Sequence, residues 1–203
     1  GGTRALFSPS PIAIGFPTGG DPVVVDVSTS ITTNNLMARL NREGKKLPAE
    51  WLIDETGAAT NDPSVLFAPR TGTILPLGGL DAGHKGYGLS LMVEALTAGL
   101  AGHGRSDPGG RFGATLLVQV LDPEAFSGLA VFREQMDWIV NACRTNPPAR
   151  GVDEVRLPGQ RGIALMKQQL RSGVALKASI VGALERLGGK YGLALPPAAS
   201  VSD

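Results

Sequence analysis

Short apolar runs, each bounded by proline or glycine, set the pattern of the first third of the chain. Residues 12–16 and 23–27 are nearly all apolar and rich in Val and Ile, and residues 17–22 between them hold two prolines and two glycines. Such runs are typical of buried strands, and a loop of this composition joins two strands into a hairpin. Further strand patterns follow at residues 51–54, 73–75, 113–121 and 155–157.

Apolar residues three and four positions apart predict helices between and after these strands. Met37 and Leu40 carry the first such pattern, which Gly44 ends as a left-handed C-terminal residue. The clearest stripe predicts a helix from about residue 88 that is buried on most sides. Its members are Leu89, Met92, Val93, Leu96 and Leu100. Later helices are predicted over residues 126–140 and, as a pair, over residues 162–188, the last ended by Gly188 and Gly189.

Strands and helices therefore mix without the regular alternation that builds a doubly wound parallel sheet. Hairpin-like β regions beside crossover helices favour an α/β fold around a mixed sheet. The length of 203 residues suits one large domain or a domain with a small appendage.

Composition narrows the function classes. The chain is 42% hydrophobic, with a net charge of +1 and no basic stripe, which predicts a sizeable core and no nucleic-acid partner. Cys143 is the single cysteine and the two histidines lie far apart, so we predict no metal site and no internal disulfide. No apolar run is long enough to span a membrane. We expect a reducing, cytoplasmic location.

A glycine-rich segment, residues 83–88, is the strongest chemical signal. It places His84 and Lys85 among three glycines, directly ahead of the predicted helix. Free N–H groups at a helix start, close backbone approach at glycines and a lysine charge together indicate an anion site, most often for phosphate. The alternatives are a solvated Lys85 and a His84 that acts as a catalytic acid, as a donor to a ligand or only in packing.

Two more segments are candidates. The hydroxyl triplet (Ser28, Thr29 and Ser30) follows a predicted strand and precedes a predicted helix. It either caps that helix, which needs one hydroxyl, or offers spare donors to a ligand. The Pro-Gly-Gln-Arg turn at residues 158–161 is either a plain turn or a third anion-binding segment. A dinucleotide, with its pyrophosphate, would suit two helix starts that face one crevice.

Four motifs occur in an order that resembles one family. They are PIAIGFP at residues 11–17, VDVSTS at 25–30, LPLGG with GHKGYGL at 75–79 and 83–89, and VRLPG at 155–159. Over roughly residues 5–190 the chain resembles the malate/L-lactate dehydrogenase type 2 family, which includes ureidoglycolate and sulfolactate dehydrogenases and Δ1-piperideine-2-carboxylate reductase.

The resemblance implies a non-Rossmann, largely antiparallel mixed sheet with packed helices, as in L-sulfolactate dehydrogenase, that binds NAD or NADP. It implies an NAD(P)-binding domain over residues 1–160. Residues 161–203 would be a C-terminal helical segment that packs on, or completes, the dimer or the N-terminal domain. The implied cofactor contacts are Ser28, Thr29, Ser30, His84, Lys85, Gly86, Leu157, Pro158, Gly159 and Arg161.

The implied reaction is hydride transfer between nicotinamide and a 2-hydroxy or 2-oxo acid, or a cyclic imino acid, in a homodimer with active sites near the subunit interface. Family members are longer, and their catalytic histidine and substrate-binding arginine precede the position of Gly1. We therefore expect the proton donor to lie in an N-terminal segment, and the catalytic residues stay unassigned. The alternative is a nucleotide-binding or dimerisation fragment without catalysis of its own. Ser10 and residues 32–36 depart from the family pattern, which leaves the substrate open.

Overall fold

The computed structural model describes residues 2–104, 106 and 113–197. They form two compact units. The first comprises Gly1–Gly15 and Val24–Phe132, and the second comprises Phe16–Val23 and Arg133–Asp203. The boundary expected near residue 160 stays a prediction.

Helices and short strands alternate irregularly, which confirms a mixed α/β fold. Short helical turns at Pro63–Leu66 and Pro123–Ala125, and a π-helical turn at Ala95–Gly99, supplement the main elements. These are β1 (Pro11–Phe16), β2 (Val23–Ser28), α1 (Asn34–Arg42), β3 (Leu52–Ile53), β4 (Ala59–Thr60), β5 (Thr73–Ile74), α2 (Gly79–Glu94), α3 (Leu129–Arg144), α4 (Gln160–Ser172) and α5 (Ala178–Tyr191).

Two small sheets account for the described strands. β1 pairs with β2, as the hairpin pattern predicts, and β3 lies between β4 and β5 in antiparallel register. The expected burial of β2 is wrong, because only Val23 is buried while Val24 and Val27 are 38% and 42% exposed. A two-stranded ribbon presents two open faces, so apolar composition does not ensure that it is covered.

The strand predicted at residues 113–121 is also absent from both sheets. Leu116, Val118 and Val120 are 85%, 73% and 88% exposed. A strand needs a hydrogen-bonded neighbour, and in the described part of the chain this segment has no ladder partner. The short strand predicted at residues 155–157 is likewise not formed.

The core of the first unit lies between α1 and the three-stranded sheet. Met37, Leu47, Leu52 and Val65 are at most 4% exposed and pack together. Thr33 caps α1 by accepting a hydrogen bond from the Leu36 N–H at 3.3 Å. Burial of Met37 thus packs α1 on Leu52 of β3 and on the helical turn Pro63–Leu66. Gly44 follows α1 with φ +63°, which confirms it as the left-handed residue after the helix.

Helix α2 is less buried than its sequence predicts. Leu91 and Met92 are each 45% exposed, and beyond the end of α2 Leu96 is 43% and Leu100 is 72% exposed. Its buried positions are instead Gly83, Gly86 and Ser90. The side of α2 that packs is the side with the smallest residues, because they allow its backbone to approach a neighbouring segment.

The second unit holds helices α4 and α5. The loop between β1 and β2 belongs to it, because the Gly19 N–H donates to Asp137 at 2.8 Å and Lys167 contacts Asp21 at 2.5 Å. Helix α5 continues through Gly188 and Gly189, so their predicted role as its end is wrong. Gly192, at φ +66°, ends the helix instead, because it adopts the left-handed conformation that favours glycine.

Leu52 tests this description of the core. Leu52→Ala removes a fully buried side chain and should lower the free energy of unfolding by about 2–5 kcal/mol, measured by chemical denaturation. Leu100→Ala, at a 72% exposed position, is the control and should change it by less than about 0.5 kcal/mol. Equal effects of the two substitutions would contradict the assignment of the core.

Candidate functional site

The backbone of Leu77 joins two segments that are far apart in sequence. Its N–H donates to the Thr29 carbonyl at 2.9 Å, and its own carbonyl accepts from the Gly86 N–H at 3.1 Å. An isolated bridge between Ser30 and Pro76 extends the same contact. The structure therefore brings the hydroxyl triplet and the glycine-rich segment together on either side of one residue.

Gly86 is required by this contact rather than by a turn. A Cβ at this position would lie 2.5 Å from the Leu77 carbonyl oxygen, closer than real Cβ contacts allow. At Gly83 a Cβ would meet the Pro76 ring at 3.0 Å. These two glycines thus serve close packing of α2 on residues 76–77, which accounts for their burial.

The glycine-rich segment lies inside α2, so the prediction of a helix that starts near residue 88 is wrong. Helix α2 begins at Gly79, after Gly78 in a left-handed conformation with φ +98°. Ala82, at φ −125° and ψ 18°, breaks the helical geometry, and a second helical stretch follows it. His84 and Lys85 lie in the first turn of that stretch, in which the Gly86 N–H is paired with the Leu77 carbonyl.

His84 and Lys85 both point away from the packed face. Both are exposed, whereas their neighbours Gly83 and Gly86 are buried. In the described residues neither side chain has a hydrogen bond or an ion pair. Their donors are therefore available to a ligand on the solvent side of α2.

The hydroxyl triplet does not cap α1, because Thr33 does so three residues later. Thr29 is 2% exposed, and its carbonyl serves Leu77. Ser28 and Ser30 are half-buried, with their hydroxyl oxygens 2.6 Å apart. Since the Ser30 hydroxyl donates to the Thr32 carbonyl at 2.5 Å, the proton between the two serines comes from Ser28.

Both serine protons are thus committed within the loop. Ser30 also donates its N–H to the Ser28 hydroxyl at 3.1 Å. A phosphate bound here would need one serine to rotate and exchange an internal acceptor for a phosphate oxygen. Such an exchange is favourable where the new acceptor is charged, because charge-assisted hydrogen bonds are stronger than neutral ones.

Two open cavities adjoin at the start of α1. One, of about 510 Å³, has Ser28 and Asp26 in its wall, together with Pro9, Pro11, Thr33, Asn34 and Asn35. The other, of about 450 Å³, is lined by Thr33, Asn35, Leu36, Ala38, Arg39 and Arg42. Sequence patterns alone do not single out Arg39 and Arg42, although their three-residue spacing places them on one side of a helix.

The turn at residues 157–161 belongs to the second unit. The Leu157 N–H donates to the Gln160 side chain at 3.1 Å, and Gly159, at φ 82°, precedes α4. No side chain caps this helix start, and Arg161 is exposed in its first turn. Of the ten predicted cofactor contacts, the structure thus assigns Leu157, Pro158, Gly159 and Arg161 to the second unit and the other six to the first.

Gly86 supplies a test of the Leu77 contact. Gly86→Ala should lower the free energy of unfolding by about 2–3 kcal/mol, because the added methyl group forces α2 away from Leu77. Gly88→Ala is the matched control on the same helix, with open space around its Cβ. It should be neutral or stabilise by up to about 1 kcal/mol. Thermal and chemical denaturation measure both, and a neutral Gly86→Ala would refute the close approach.

Comparison with known proteins places the chain in a family. The malate/L-lactate dehydrogenase family profile matches residues 1–185. A malate dehydrogenase of Pyrococcus abyssi is 27% identical over 95% of this chain and 55% of its own length. An L-lactate dehydrogenase of Cupriavidus necator is 32% identical over 98% and 57%.

The solved structures agree with these relatives. The Δ1-piperideine-2-carboxylate reductase of Pseudomonas syringae pv. tomato superposes with a TM-score of 0.66 at 31% identity, over 87% of this chain and 52% of that one. The chain spans about half the length of the curated relatives it matches. No helix in the described residues is long and apolar enough to cross a membrane. With the four motifs inside the matched range, the chain belongs to the malate/L-lactate dehydrogenase family.

Proposed function

We propose that this chain provides the dinucleotide-binding part of an NAD(P)-dependent oxidoreductase. The reaction is hydride transfer between nicotinamide and a 2-hydroxy or 2-oxo acid, or a cyclic imino acid. Relatives named for malate, L-lactate and Δ1-piperideine-2-carboxylate support this range of substrates. A non-Rossmann, largely antiparallel mixed sheet, a homodimer and a cytoplasmic location belong to the same proposal, as does cofactor binding by residues 1–160 with a packing role for residues 161–203.

One observation carries the proposal, namely the linkage of Thr29 to Gly86 through Leu77. It holds a loop with two serine hydroxyls beside a helical turn with an exposed lysine and histidine. Hydroxyl groups and a lysine charge are donors suited to phosphate groups. The residues present therefore fit a dinucleotide, which carries two linked phosphates.

Each of these residues has its own role in binding the cofactor. Lys85 supplies the positive charge, and Ser28 and Ser30 supply hydroxyl donors once one of them rotates. Gly86 lets the backbone approach Leu77, which keeps Lys85 and the hydroxyl triplet in one region. The contacts expected at residues 157–161 stay a separate part of the proposal, with backbone N–H groups and the Arg161 charge as their donors.

Binding and orientation are thus what this chain contributes, because the nicotinamide itself supplies the hydride. His84 is a cofactor contact in this proposal. It neighbours Lys85 in the same helical turn, and none of the described groups orients its ring as a general acid requires. The proton donor remains unassigned.

Lys85 gives the binding test. Lys85→Met should weaken NAD(P)H binding by about 1–3 kcal/mol, measured by titration calorimetry, because a charge-assisted hydrogen bond to the cofactor is lost. Lys46→Met, at an exposed lysine that lines neither cavity, is the matched control and should leave the affinity unchanged. An unchanged affinity in folded Lys85→Met protein would remove Lys85 from the site.

A turnover assay distinguishes an active oxidoreductase from the alternative, a nucleotide-binding module without catalysis of its own. NAD(P)H oxidation is followed with pyruvate, oxaloacetate and a cyclic imino acid as separate substrates. Oxidation with any of them by this chain alone supports the oxidoreductase but overturns the expectation that its proton donor lies in an N-terminal segment. Cofactor binding without turnover supports a nucleotide-binding module without catalysis of its own, and absence of binding overturns both.

A further inference from the structure

Helix α1 presents two cations to one open cavity. Arg39 and Arg42 lie three residues apart on α1, and both line the cavity of about 450 Å³ together with the polar side chains of Thr33 and Asn35. Both arginines are exposed, so their guanidinium groups are free to meet a ligand from solvent.

The charge of this cavity is uncompensated. No acidic residue lines it, and within the described residues neither Arg39 nor Arg42 has a carboxylate within ion-pair distance. Glu43, which follows α1, is engaged by Lys45 at 2.9 Å. Two unpaired guanidinium groups on one side of a helix attract a dianion in particular, because each can donate two parallel hydrogen bonds to phosphate oxygens.

The position of this cavity indicates which phosphate group the two arginines would bind. This cavity shares Thr33 and Asn35 with the cavity that contains Ser28, one of the proposed cofactor contacts. A dinucleotide held at the hydroxyl triplet can therefore continue along α1 toward the arginines. The phosphate that distinguishes NADP from NAD is on the adenosine ribose, at one end of the molecule, and a guanidinium group can hold a phosphate dianion through two parallel hydrogen bonds.

We infer that Arg39 and Arg42 bind the 2′-phosphate of NADP, so that the chain prefers NADP over NAD. This inference rests on the proposed function, since it extends the same cofactor site along α1. No acidic side chain lines this cavity, so no carboxylate is placed there to accept hydrogen bonds from the free ribose hydroxyls of NAD. Asp26, the acid nearest in the cavity walls, lines only the neighbouring cavity.

The test compares two cofactors and two variants. Dissociation constants for NADPH and NADH are measured by calorimetry for the wild-type chain, for the double variant Arg39→Met/Arg42→Met and for Arg70→Met. Arg70 is an exposed arginine of the same unit that lines neither cavity. The double variant should lose roughly 10- to 100-fold in NADPH affinity, with NADH affinity unchanged. Arg70→Met should bind both as the wild type does.

Two nucleotides that correspond to parts of the cofactors test the contact with the 2′-phosphate apart from the rest of the dinucleotide. The wild type should bind 2′,5′-ADP more tightly than 5′-AMP, and the double variant should bind the two alike. Circular dichroism melts establish that the variants are folded, and the unchanged NADH affinity of the double variant is a second check.

Three results would overturn the inference. One is a wild type that binds NADH at least as tightly as NADPH, and another is a double variant that loses both cofactors equally. The third is competition by inorganic phosphate at the arginines without any NADPH preference, which would mark a general anion site. NADH binding without NADPH preference overturns this inference alone, whereas failure to bind either cofactor also overturns the proposed function.

Discussion

Close approach of two backbones at Leu77 is the constraint on which the rest of the site depends. Leu77 uses its N–H toward Thr29 and its carbonyl toward Gly86, so one residue sets the position of both flanking segments. Only glycine at position 86 leaves room for that approach. His84 and Lys85 are exposed on the other side of α2, whereas Ser28 and Ser30 are half-buried in the neighbouring loop. Packing and the exposed imidazole and ammonium groups thus occupy opposite sides of α2.

This division explains why α2 combines small buried residues with exposed chemistry. Gly83, Gly86 and Ser90 form the buried side, and the Ser90 hydroxyl donates to the Gly86 carbonyl at 2.9 Å. His84 and Lys85 lie between these positions and face solvent. The kink at Ala82 starts a fresh helical turn at these residues, and the Gly86 N–H of that turn donates to the Leu77 carbonyl. Close packing on this side therefore leaves the side chains of His84 and Lys85 exposed.

Sequence patterns predicted most helices and strands, but not which of their side chains are buried. The hairpin, the strands near residues 52 and 74, and helices α1, α3, α4 and α5 follow from periodicity and from proline and glycine punctuation. The patterns failed at residues 113–121 and along α2, where apolar side chains are exposed. Periodicity reports which residues favour burial, whereas burial itself needs a second surface that a local pattern does not contain.

By itself, the sequence determined the family and the mixed α/β class, and it marked the hydroxyl triplet and the glycine-rich segment as candidates for binding. Those properties reside in residue types and short spacings, which a linear chain displays directly. Tertiary structure alone decided that Thr29 and Gly86 meet at Leu77, that Thr33 rather than the hydroxyl triplet caps α1, and that Arg39 and Arg42 share a cavity beside Ser28. Each of these is a spatial contact between residues of different segments or neighbouring turns. Such contacts form only once close packing has fixed the path of the backbone.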